Sequence, residues 1–194
     1  MFVFRGGVRR SLVLCAVSAA MVWGLCLGVS SALAAQVAVT SVGQSPDAMM
    51  VRVLLKKAGL ECSYEAMMKP QDIQKDHKVL IAVVGGSMKG LGAAGIDKEQ
   101  ERDRVKELLD SARGKKVKIL VMHVGGKGRR GELTDYLAGA AVPKADGVIV
   151  VKGGNDDGLM TKLAPKGVKV VEVEAIQAVT GPMMAQLSAW GVSK

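Results

Sequence analysis

Apolar residues along this chain arrive in short β-branched runs, separated by stretches in which they recur every three or four positions. Residues 79–84, 118–124 and 148–151 run with almost no polar break, as parallel strands buried on both faces do. Between such runs the period lengthens to that of a helix. Met50, Leu54 and Ala58, with Val51 and Leu55, form one apolar stripe. Ser45-Pro46-Asp47 precedes it as cap, first helical residue and dipole-matched acid, and Gly59 is its natural stop. A second stripe, Val105, Leu108, Leu109 and Ala112, follows Asp97-Lys98-Glu99-Gln100, which has the form of a capping box, and Gly114 ends it. The same reasoning predicts strands over 36–41, 62–66 and 168–173 and helices over 132–141 and 159–164. It also predicts a single turn over 70–74 and a closing helix that Pro182 starts and that runs to about Trp190. Residues 85–96, rich in Gly and Ala, read as a long loop.

Strands alternating with helices predict an α/β fold. The connection between the second and third strands holds one turn and no full crossover helix. The expected architecture is a three-layer, doubly wound, mostly parallel sheet of five or six strands in flavodoxin-like order 2-1-3-4-5, a sixth strand lying outside. Ligands of such sheets sit beyond the carboxyl ends of the strands, at the switch point between the first and third. Three runs end there in Gly-Gly: Gly85-Gly86, Gly125-Gly126 and Gly153-Gly154, with Gly43 alone after the first strand.

The start of the chain changes the count of residues that fold. Arg5, Arg9 and Arg10 precede an apolar segment over 12–29 and the small-residue tripeptide Ala32-Leu33-Ala34, the layout of a cleaved secretory signal over 1–34. Arg9-Arg10-Ser11-Leu12-Val13 also fits a twin-arginine signal. Residues 35–194 are then one exported α/β domain, periplasmic or secreted. Of 27 Lys and Arg, those three arginines leave with the signal, so 24 oppose 18 Asp and Glu, a formal +6. The basic residues form no run of nucleic-acid-tail length, and export removes nucleic acid as a partner, which leaves a small anionic ligand or surface. Cys62 alone remains, so no internal disulfide forms, and its setting is that of a small buried hydrophobe. Tyr64, Tyr136 and Trp190 are too few for stacking to be the main recognition mode, and no cofactor is expected.

Those strand tips assemble an expected anion cradle. Glycine lets backbone N–H groups approach a ligand, so Gly43, Gly85, Gly86, Gly125, Gly126, Gly153 and Gly154 are its floor. Ser41, Gln44, Ser45, Ser87 and Asn155 supply oriented polar contacts, and Lys89, Lys127, Arg129, Arg130 and Lys152 supply charge at the rim. His123 ends a strand where a general base or ligand contact would sit. Gly90-Leu91-Gly92-Ala93-Ala94-Gly95 matches the dinucleotide fingerprint literally but lies too far from the strand end and from the capping signals, and reads as a flexible loop able to fold over the site. Two histidines and one cysteine, far apart, have no metal-site spacing, and the methionine doublets read as gap-filling core.

Three stretches, Thr40 to Ala48, Val84 to Asp97 and Met122 to Lys127, resemble those of an uncharacterised bacterial family of exported proteins, a domain of unknown function. The resemblance implies an exported single domain and carries no catalytic residues with it. The leading expectation is a non-enzymatic domain that binds a small anion at its strand ends, serving a transport or sensing system. Two alternatives stand beside it: a hydrolase or transferase using His123 with Ser87 or Ser45, and a protein-partner module whose glycine loops are merely turns.

Overall fold

The structure, a computed structural model, describes residues 35–193. The secretory signal expected over 1–34 lies outside them. Six strands form one all-parallel sheet: β1 (Val37–Val42), β2 (Ser63–Tyr64), β3 (Val79–Val84), β4 (Lys118–His123), β5 (Gly147–Val151) and β6 (Val170–Val173). Their order is β2-β1-β3-β4-β5-β6, the flavodoxin-like arrangement with the sixth strand outside. β1, β3 and β5 are buried at every position, which is why their sequences carry no polar alternation.

Helices cover both faces. On one side α1 (Asp47–Lys57) and α6 (Thr180–Ala189) pack Ala48, Val51, Leu55, Met183 and Leu187 onto Val39, Ile81 and Met122. On the other, α3 (Lys98–Gly114), α4 (Glu132–Ala141) and α5 (Leu159–Leu163) pack Val105, Leu109, Leu137 and Met160 onto Leu80, Ala82 and Val121. The capping box of α3 forms as its sequence predicts: Asp97 accepts the Gln100 N–H at 2.7 Å, and Gln100 accepts the Asp97 N–H at 3.0 Å. Gly59, at φ +77°, ends α1 in the left-handed conformation.

One expected loop is a helix. Residues Met88–Ala94 form α2, because Ser87 caps it by accepting the Gly90 N–H at 3.0 Å and Gly95, at φ +69°, closes it. Two internal glycines and a single buried side chain, Leu91, hide it from a search for apolar periodicity.

Candidate functional site

β1 and β3 end side by side at the switch point, and their loops close on each other. The Ser87 N–H donates to the Gly43 carbonyl at 2.8 Å, the Gly85 N–H to the Val42 carbonyl at 2.9 Å, and Gln44 bridges antiparallel to Gly86. Gly43 sits at φ +105°, and a Cβ there would lie 2.6 Å from the Gly85 carbonyl. α2 presses down from above: a Cβ on Gly90 would stand 2.0 Å from the Gln44 carbonyl oxygen. These glycines therefore serve the packing of loop on loop.

The carboxylate held at this point belongs to the protein. The Gly43 N–H donates to Glu101 Oε1 at 2.7 Å, and Gln44 Nε2 donates to the same oxygen at 3.0 Å. Arg104 grips both oxygens, Nε to Oε2 and Nη2 to Oε1, each at 2.8 Å, and gives its remaining donors to the Met68 and Ser41 carbonyls. Glu101 is 0% exposed. A carboxylate so buried persists because each oxygen is paired; unpaired, it would cost several kcal/mol. Glu101 was missed in the sequence, although its position four before Val105 and seven before Leu108 places a charge on the apolar stripe.

Other expected contacts are likewise turned inward. His123 is buried, its Nδ1 2.9 Å from the Val84 carbonyl and its Nε2 3.0 Å from that of Gly126, so both ring nitrogens face backbone and neither faces a hydroxyl. Ser45 Oγ accepts the Asp47 N–H, Ser87 Oγ caps α2, and Ser41 Oγ donates to the Ser45 carbonyl. The Gly86 N–H donates to Thr134 Oγ1 at 2.8 Å. Gly154 packs against the His123 ring, and Gly153 against Lys127. Asn155 Oδ1 accepts the Met160 N–H at 2.9 Å and the Thr161 N–H at 3.3 Å, in the first turn of α5. Arg130 joins three partners: Asp135 at 2.6 Å, the Gly154 carbonyl at 2.7 Å and, through two donors, Asp157 at 2.9 and 3.1 Å. Those bonds raise Arg130 above its ordinary pKa, Asp135 contributing most, and hold Asp157 down to about 2.

Lys89, Lys127 and Gly125 stand exposed, Lys89 on α2 and the other two beyond β4. Beneath Gly125, Asp47 keeps one carboxylate oxygen buried without a hydrogen bond, although Arg129 Nε approaches it to 3.3 Å as an ion pair. Cys62 is half-buried at the β2 edge, and burial pushes its thiol pKa up, away from the reactive thiolate.

Open space lies beside the tips. A cleft of about 620 Å³ runs between α2, α3 and α4, floored by Leu91, Ile96, Leu133 and Tyr136 and rimmed by Met88, which is 70% exposed. Asp97, Lys98, Glu99, Glu132 and Leu133, which also line it, belong to the cap or first turn of α3 and α4. α4 begins at Gly131 with no side-chain cap, so its first N–H groups are left to other partners. Tyr136 carries two cations over its ring, Lys98 at 5.6 Å and Arg102 at 5.8 Å, and Arg102 also donates to its hydroxyl at 2.7 Å. Strand tips do not point to this cleft because its walls are the side of the unforeseen α2 and the first turns of α3 and α4.

Sheet order, layers and edge define a three-layer α/β domain of flavodoxin-like topology. The chain belongs to the family described as Domain of unknown function (DUF6305), whose model matches residues 34–187. No curated protein and no solved structure matches it.

Proposed function

We propose that this chain is an exported binding protein that holds a small anion with an apolar body in the cleft beneath α2, in the service of transport or sensing. One observation carries the reading: the side of α2 and the first turns of α3 and α4 wall a single apolar cleft beside Lys98. Helix N-termini favour negative charge, and the uncapped start of α4 offers N–H donors to it. Leu91, Ile96, Leu133 and Tyr136 take the apolar body, and Met88 adapts its flexible thioether to the ligand's outline. Asp97, Glu99 and Glu132, three acids against one lysine in the lining, select against a bare, multiply charged anion, so a monocarboxylate with an aliphatic or aromatic body fits best. Binding without catalysis is supported by His123, Ser45 and Ser87, whose polar atoms are spent on backbone partners.

Thermal unfolding of residues 35–194 with a panel of aliphatic and aromatic monocarboxylates tests this. A ligand at a hundred times its Kd adds about 2.7 kcal/mol of stability. The matching neutral amides should give no shift, and Lys98→Gln should raise Kd about tenfold, roughly 1.4 kcal/mol. Equal shifts from acids and amides, or none from either, would remove the anion site.

A further inference from the structure

The layer formed by α1 and α6 is charged unlike the rest of the molecule. Every charged side chain on the outward side of α1 is a cation: Arg52, Lys56 and Lys57 are exposed, while its single acid, Asp47, is buried. Between those cations lie apolar side chains that a water-facing helix does not ordinarily present. Met49 and Val53 are each 39% exposed and Met50 47%. At 3.6 residues per turn Met49 and Val53 run down the crown of the helix, with Arg52 and Lys56 on one flank and Lys57 and Met50 on the other. α6 packs on the same face of the sheet, and the sequence from Ala175 to Ser193 contains no charged residue. A cleft of about 530 Å³ opens on that face, lined by Leu60, Met184, Leu187 and Val192 among others.

We infer that the α1–α6 face docks on an anionic lipid bilayer, its methionines and Val53 entering the headgroup boundary and Arg52, Lys56 and Lys57 meeting lipid phosphates. An apolar crown flanked by cations is the arrangement of helices that lie in a membrane interface. The complementarity extends to α6, which brings no carboxylate toward the phosphates. A bilayer is favoured over an acidic partner helix because the cations and the apolar stripe lie on the convex crown of α1, which a plane meets along its length, whereas the cleft on this face, which a helix would enter, has no cation in its lining. Among the described residues no helix is long and apolar enough to cross a membrane.

Co-sedimentation with vesicles of phosphatidylcholine, with and without phosphatidylglycerol, tests the face. Residues 35–194 serve for it, since the whole sheet and both core layers lie within them. The domain should pellet only with phosphatidylglycerol and be released by salt. Arg52→Gln/Lys56→Gln/Lys57→Gln should bind roughly a hundredfold more weakly, about fivefold per cation. Met49→Ser/Val53→Ser should also lose binding, with circular dichroism unchanged; thermal unfolding should fall only slightly in either variant, since the contacts at stake are those of Arg52 with the Tyr64 ring at 5.5 Å and with Met49 Sδ at 3.9 Å. Sedimentation of the variants like the parent would overturn the proposal. So would capture of an acidic helical peptide with no binding to vesicles. The cleft beneath α2 plays no part, so a Lys98→Gln protein should bind vesicles normally.

Discussion

At the residue scale the decisive interaction is Glu101 with Arg104. Neither group is free to act on a ligand; together they knit α3 to the β1 loop and to Met68. Removing one charge strands the other, Glu101 fully buried or Arg104 with 9% of its side chain exposed. Glu101→Gln should cost about 3–5 kcal/mol in urea unfolding, and Glu101→Gln/Arg104→Gln should cost less than the sum of its parts. His77 offers a second test. Its Nδ1 accepts the Gln74 N–H at 3.0 Å, which leaves the proton on Nε2, where it is donated to Ser63 Oγ at 2.9 Å. Burial lowers the His77 pKa below its ordinary value of 6.5. A base whose folded pKa is depressed stabilises fully above the unfolded value and loses that contribution as pH falls through the folded one. Unfolding free energy should therefore decline from pH 7.5 to 5.5, and His77→Gln should flatten that decline. A decline of unchanged steepness would show that His77 does not cause it.

At the element scale α2 is the helix least determined by its own residues. It buries Leu91 alone and includes Gly90 and Gly92. The two glycines differ in purpose, and substitution separates them. Nothing lies within 4 Å of a Cβ on Gly92, so Gly92→Ala should stabilise α2 by about 0.5–1 kcal/mol, seen as slower amide hydrogen exchange across it. Gly90→Ala, placing a methyl group on the Gln44 carbonyl, should loosen the helix and speed the same exchange. This contrast also shows what the sequence could and could not reveal. Strands such as β3 were legible because burial on both faces writes itself as an unbroken apolar run, and α3 because stripe and capping box agree. α2 was not, since a short helix held by a cap and by close backbone approach carries no periodicity. The glycines at the tips did mark the carboxyl edge; their partners, which lie far away in sequence, carry no local signal.

At the scale of the whole molecule the two helical layers present different surfaces to solvent. Alternating acids and bases cover α3, whereas the α1–α6 layer offers apolar residues and cations. The domain therefore has an electrically mixed side around the cleft beneath α2, and on α1 and α6 themselves a surface whose exposed charges are all cations. Cross-links tie its tips together: Gly43 to Glu101, Gly86 to Thr134, His123 to Val84, and Arg130 to Gly154. These pairs are separated by 58, 48, 39 and 24 residues. The strand pairs beneath them are as far apart, 79 − 37 = 42 residues from Val37 to Val79 and 118 − 79 = 39 from Val79 to Lys118, so edge and sheet close loops of the same size. The carboxyl edge is thus built by the same long-range closures as the sheet and shares its cooperativity. It also has no partial version, so the Gly43 and Gly86 amides should exchange with solvent only at the rate of global unfolding. Faster exchange at either amide would mean that the edge opens while the sheet below it stays whole.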